Sequence, residues 1–180
     1  MLVGDPVGRL AVDLKGKLAT PGVFVCLNRR CLDRLEVDGL ARATGIDRLD
    51  AQDVAALPER IGAALSTRVK SLLGMAQRSG NLTSGTSAAM AALKRAPPSG
   101  WIAVVARDAS PDVARRLCRA AQARGVTLVR YLTTIELGDS IGKSPRCIVV
   151  IEDAGLARSA RETIARLEAI MGRDVVVMHP

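Results

Sequence analysis

The spacing of apolar positions changes once along the chain, near residue 60, and the change divides it into two parts. Before that point the apolar runs are short. GRLAVDL at 8–14 and VFVC at 23–26 read as two strands separated by KGKLATPG, whose Lys, Gly and Pro residues make a turn region. In RRCLDRLEVDGLARA at 29–43, Leu32, Leu35 and Leu40 recur at a loosely helical spacing, interrupted by Asp38-Gly39. The pattern predicts a small α+β module over residues 1–45. TGIDRLDAQDVAALPE follows with mixed charge, one Gly and one Pro, so residues 46–60 read as a linker holding a helical turn or two.

Beyond residue 60, helical periodicity alternates with β-rich runs, which predicts an α/β sandwich over residues 61–180. Pro58 opens a helix to about Ser79 with Ile61, Leu65, Val69, Leu72 and Leu73 inward and Gly80 as its stop. A helix over 86–95 follows Gly85. WIAVVA at 101–106 is a buried strand. Ser110-Pro111 marks a helix over 111–124, with Val113, Leu117, Ala120 and Ala121 inward and Gly125 at its end. A strand at 126–131, a short helix near 134–141, a strand at 147–152, a helix over 154–171 and a last apolar run at 175–178 complete the pattern. The sequence shows no internal repeat.

Charge separates the two parts again. The 180 residues carry a formal net charge of +8, all of it contributed beyond residue 67, since residues 1–67 hold equal numbers of acidic and basic residues. The C-terminal part is therefore the candidate for a polyanionic partner. With one Phe, one Trp and one Tyr, the chain is too poor in aromatics for the multi-ring platforms that hold single strands, which favours a reader of shape and backbone. No run of uncharged apolar residues is long enough to span a bilayer, and Asp5, Arg9 and Asp13 interrupt any leader-like stretch, so a cytoplasmic location is expected.

Cys118 and Cys147 lie inside apolar patterns and read as core residues. Cys26 and Cys31 form a C-x4-C pair that would supply half of a tetrahedral zinc site, but no second pair follows, and neither metal nor cofactor is expected.

Three stretches carry a resemblance to a known family: LLGMAQRSGNLTSG at 72–85, ARDASP at 106–111 and ELGDSIGK at 136–143. They resemble the ribosomal L7Ae/L30e superfamily of kink-turn RNA binders, and specifically its bacterial YlxQ branch. The resemblance covers residues ~66–171. It implies a three-layer α-β-α sandwich with element order α-β-α-β-α-β-α-β-α. GRLAVDLKGKLATPGVFVC with Cys31-Leu32 is similar to the second half of the YlxR family, whose members are often encoded beside or fused to YlxQ-like domains. The first half of that family is absent, and Thr20-Pro21-Gly22 stands where its Gly-Arg-Gly motif would be. Either a segment precedes Met1 or the module has decayed.

The superfamily resemblance implies a non-catalytic protein that recognises sharply bent RNA with a helix N-terminus and a neighbouring loop. Backbone amides after Gly85, at Thr86 and Ser87, would meet phosphates or base edges, and the loop around Leu137-Gly138 and Ile141-Gly142 would approach an extruded nucleotide. Each glycine also has a plainer reading, Gly85 as a turn residue and Gly138 and Gly142 as helix-end residues. In strict kink-turn binders Gly85 would be followed by Asn-Glu and, three residues later, Lys. Here those positions are Ser87, Ala88 and Ala91, which removes most base-edge hydrogen bonds. A backbone-dominated mode using Arg78, Lys94, Arg95 and Lys143 remains, with steep salt dependence as its signature. Lys15, Lys17, Arg29 and Arg30 form a secondary candidate RNA-binding cluster. Arg115, Arg116 and Arg119 read more simply as a solvated helix face salted by Asp112.

Two catalytic readings fail. GDSIGKS at 138–144 leaves three residues between its glycines where a P-loop needs four, and a strand rather than a helix follows it. Acid–base chemistry has one histidine to draw on, and Ser110, Asp108 and Asp153 read as cap or turn residues. The alternative to RNA binding is a protein-interaction module that has kept the fold and lost its RNA residues. The families' usual gene neighbourhood implies a ribosomal, tRNA-processing or transcription-termination context.

Overall fold

The computed structural model describes residues 1–5, 7–97 and 100–172 and the backbone of 176–178. His179 and the first residue of the apolar run at 175–178 lie outside the described residues.

Runs of four apolar residues make the central strands, because a strand covered on both faces has no polar side to show. β5 (Ile102–Val105) and β7 (Ile148–Ile151) are buried along their whole length. They pair antiparallel, with Ile102 opposite Ile151. β6 (Thr127–Arg130) lies parallel to β5, while β4 (Leu82–Ser84) and β8 (Val176–Met178) close the edges against β7 and β6. The strand order is β4-β7-β5-β6-β8. Around it, α5 (Thr86–Arg95) and α6 (Pro111–Gln122) pack together on one face. On the other, α4 (Leu57–Arg78) packs along α8 (Ala154–Met171), and α7 (Thr134–Ser140) joins α4. From α4 to α8 the order is α-β-α-β-α-β-α-β-α. The three-layer sandwich is therefore the architecture of this part, with β8 added.

β4 is too short and too polar to have been read from periodicity. The start of α8 follows its cap. The Asp153 carboxylate accepts from the Leu156 amide at 2.7 Å, as its position before the last helix suggests. Ser110 occupies the cap position of α6 but its hydroxyl makes no cap hydrogen bond, so Pro111 alone marks that start. Asp112 pairs with Arg115 on the solvated face of α6.

The N-terminal module departs further from the sequence pattern. β1 (Leu2–Gly4), unread in the sequence, lies between β2 (Leu10–Val12) and β3 (Gly22–Val23), antiparallel to both. The strand read over 23–26 shrinks to a single paired valine, and Phe24 is 81% exposed. The helix read over 29–43 is two, α1 (Arg29–Leu32) and α2 (Val37–Thr44). The break falls at 33–36 instead of Asp38-Gly39, because Gly39 is tolerated inside α2 while Asn28 starts α1 by accepting from the Arg30 amide at 3.0 Å. The stretch read as a linker holds α3 (Ala51–Ala55), capped by Asp50, and the first turn of α4.

Leu2, Leu10, Leu32, Leu40 and Val54 join Leu57, Ile61 and Leu65 of α4 in one buried cluster that continues into the strands of the sandwich. The α4–α8 pair thus has the sheet on one side and the N-terminal module on the other. Cys118 and Cys147 are half-buried at the margin of the core, and Cys26 and Cys31 are exposed. The Cys26 thiol, hydrogen-bonded by Cys31, is held above the usual thiol range.

Candidate nucleic-acid interface

The start of α5 is built by a glycine. Gly85 has φ +96°, which side-chain-bearing residues rarely adopt, and its amide donates to the Ile148 carbonyl at 3.1 Å. That bond fixes the first turn of α5 against the start of β7, directly after the loop that leaves α7. The Ala89 amide is the first to bond back into the helix, to the Gly85 carbonyl. The amides of Thr86, Ser87 and Ala88 thus stand at an open helix N-terminus with no side-chain cap, the end that favours anions. Ser87, Ala88 and Ala91 are all exposed.

Arg78, exposed at the end of α4, lies by the last turn of α7. A point just off Gly74 lies 3.3 Å from its guanidinium and 3.1 Å from the Ser140 carbonyl, so the guanidinium and the last turn of α7 flank one position. Gly142, with φ +67°, and Lys143 follow in the exposed turn. Both of their amides are spent inside it, Gly142 on the Asp139 carbonyl and Lys143 on that of Gly138. The turn therefore offers a cationic side chain and a close backbone approach at Gly142.

Leu137, Gly138 and Ile141 are placed differently from their sequence reading. Leu137 is fully buried and Ile141 nearly so, and both belong to the core that seats α7. At Gly138 a Cβ would stand 2.6 Å from the Ser144 carbonyl oxygen, so this glycine lets the following loop fold back over the helix. Through these buried positions the three residues hold the turn in place. Lys94 is also displaced from the site. It ends α5, roughly 12 Å from Thr86 at the usual rise per residue, where its carbonyl accepts from Arg124 Nε at 2.8 Å. Arg95 lies 3.9 Å from Glu152.

Residues that periodicity could not reveal hold the turn. Arg146 donates from its guanidinium to the Ser144 and Pro145 carbonyls, and from its amide to the Thr134 carbonyl. Lys70 of α4 pairs with Glu136 of α7 at 2.9 Å, and Glu136 completes a capping box with Thr133. Hydrogen bonds from Lys70 keep the Glu136 carboxyl below the usual carboxylate range, against some opposing burial. Asp108 accepts from the Thr134 amide and hydroxyl, which fixes the start of α7 to the end of β5.

In the N-terminal module, Lys15 and Lys17 are exposed on a turn held by Asp13, whose carboxylate accepts from the Lys15, Gly16 and Leu18 amides. Those bonds, Leu18 foremost, lower its pKa. Arg29 is bound to Asp33 and Glu59 at 3.0 Å each, so it ties α1 to α4; Arg30 is exposed.

Residues 67–160, from the middle of α4 into α8, match the ribosomal protein L7Ae/L30e/S12e/Gadd45 family. The chain belongs to that family. Two solved structures share the fold of this L7Ae/L30e-family chain. A protein of unknown function from Bacillus halodurans C is 24% identical with a TM-score of 0.50, covering 54% of this chain and 96% of its own. A Giardia lamblia 15.5kD RNA binding protein is 22% identical with a TM-score of 0.50, covering 59% of this chain and 90% of its own. No curated protein matches the chain. The family match includes Arg78, Gly85 to Ser87 and Gly142-Lys143, and leaves the N-terminal module outside it. Among the described residues no helix is long and apolar enough to cross a membrane, and no cluster of His, Cys, Asp and Glu has the makings of a metal site.

Proposed function

We propose that this L7Ae/L30e-family chain is a non-catalytic binder of structured RNA. In this reading bent RNA docks at the edge formed by the start of α5 and the turn after α7. One observation carries it: the uncapped α5 N-terminus, its entry held by Gly85 at positive φ, is tied through Ile148 to the strand that follows the turn bearing the exposed Lys143, and Arg78 lies against the last turn of α7 before it. Helix amides and flanking cations suit phosphate oxygens, and the glycine turn at 142 permits close backbone approach. Family membership and the RNA-binding Giardia relative support the same partner. With serine and alanine at 87, 88 and 91, base-edge bonds are few and shape and phosphates dominate. We further place the chain in the YlxQ branch, with a partial YlxR-like module over 1–45 and the family domain over 61–180 joined through α3 and the start of α4. Its working context is a cytoplasmic ribosomal, tRNA-processing or transcription-termination complex.

The test is binding of the full chain to a kink-turn RNA and a matched straight duplex across a salt series. Preference for the bent RNA is expected, with affinity falling about 10-fold or more over the series. Arg78→Ala and Lys143→Ala should each reduce the salt slope by roughly one. Equal affinity for both RNAs would replace shape recognition with general backbone binding. Absence of binding at low salt would overturn the RNA reading in favour of a protein partner.

A further inference from the structure

A second basic surface lies between the N-terminal module and the α4–α8 pair, mostly outside the family match. Two adjoining depressions, of about 290 and 210 Å3, share Leu14, Lys15 and Arg166 in their walls and form one groove. Phe24 lines one end and Arg68 the other. Phe24, the sole phenylalanine, is 81% exposed. Its ring is therefore open to stack on a ligand that enters the groove.

The groove's charge narrows the class of ligand. Lys15, Arg68 and Arg166 have no ion-pair partner among the described residues, and the carboxylates beside them are Glu162 and Asp13. Asp13 already accepts three backbone amides, and those bonds hold the lysine-bearing turn in place before any ligand arrives. A row of cations running from an exposed aromatic face matches a strand that alternates phosphates with flat bases. The chain's poverty in aromatics excludes a platform of several rings; one stacked base needs only one.

We propose that this groove binds a single-stranded segment of RNA, one unpaired base stacking on Phe24 and the backbone running past Lys15 and Arg166 to Arg68. The inference rests on the reading of the chain as an RNA binder and adds a second contact surface to it. A structured RNA with a single-stranded flank would engage both surfaces and gain from their linkage.

The experiment uses the full chain and a fluorescently labelled single-stranded RNA of about twelve nucleotides, within the site sizes of small binding domains, with anisotropy read across a salt series. Phe24→Ala should weaken binding roughly 5- to 150-fold, the range seen for losing one stacked base, while Phe24→Tyr retains it. Lys15→Ala and Arg166→Ala should each flatten the salt slope by about 0.7. Affinity for the single strand unchanged by Phe24→Ala, or fully retained in Phe24→Leu, would overturn the proposal. So would failure of the wild-type chain to bind the single strand at low salt. The interface at α5 reads out separately, through the preference for bent over straight RNA. If that preference is absent while Phe24→Ala still impairs single-strand binding, the reading at α5 falls and the groove stands.

Discussion

At Gly85 the φ of +96° and ψ of 146° lie where almost only glycine is comfortable, although a Cβ there would meet nothing within 4 Å. Gly85→Ala should therefore cost on the order of 1–3 kcal/mol through the backbone alone. A lowered melting temperature should accompany weaker RNA binding, because the strain falls on the turn that aims the Thr86 and Ser87 amides. Gly138 is constrained by the opposite cause, the 2.6 Å approach of the Ser144 carbonyl to where a Cβ would stand. This difference explains what the sequence could say about each. A glycine before a helix start is a local signal, whereas contact between Gly138 and a loop six residues on depends on how that loop folds back. The burial of Leu137 and Ile141 is illegible for the same reason, since an apolar residue in a short helix looks alike in sequence whether it faces core or surface. Ser87, Ala88 and Ala91 permit a constructive test. All three are exposed, so Ser87→Asn, Ala88→Glu and Ala91→Lys together should leave stability nearly unchanged. If the α5 edge is the docking site, the triple variant should bind kink-turn RNA at least ~10-fold more tightly, each new polar contact being worth about 1 kcal/mol or more. Unchanged affinity would argue that RNA docks elsewhere.

At the scale of elements, α7 is held less by propensity than by three ties: the capping box at Thr133, the Asp108 bonds to Thr134 and the Lys70–Glu136 pair. Because Glu136 titrates below its ordinary value of 4.5, chiefly through Lys70, its pairing stabilises the fold above that value. The contribution is lost as pH falls through the lowered folded-state pKa. Lys70→Met should thus flatten the acid limb of the stability curve, and amide exchange should show α7 and the 141–147 turn loosening first as the wild-type chain is acidified. An acid limb unaltered by Lys70→Met would remove Glu136 from the account. The long helices and the buried strands of the sandwich were legible because their periodicity runs for several residues and their ends carry Pro, Gly or Asp. β1 and β4 were not, having three residues each and no alternation to read. The division of 29–43 into two helices was misplaced because Asn28 and the contacts of Leu32 and Leu40 with α4 and β1 decide it, and glycine alone does not end a helix.

For the molecule as a whole, the placement of the N-terminal module decides how the chain unfolds. The change of pattern near residue 60 suggests two units, yet α4 begins at Leu57 and buries its apolar side chains in two directions, toward the sheet and toward Leu2, Leu10 and Leu32. A helix shared in this way cannot lose one neighbour without exposing Ile61 and Leu65 to water. The two parts should accordingly unfold in one transition. Leu2→Ala tests this at the far side of the junction, where the side chain is 1% exposed and its truncation should cost about 2–5 kcal/mol. Trp101, the sole tryptophan, lies in the sandwich beside α8, where its carbonyl accepts from Arg161, and its fluorescence reports on that part alone. In a denaturant titration, Leu2→Ala should shift the Trp101 midpoint as far as it shifts loss of protection at the amides of β1 and β2. A Trp101 transition left in place while the β1 amides lose protection would make the N-terminal module an independent unit. The groove at Lys15 and Arg166 would then join two bodies free to move, and its affinity for a single strand would depend on their being held together.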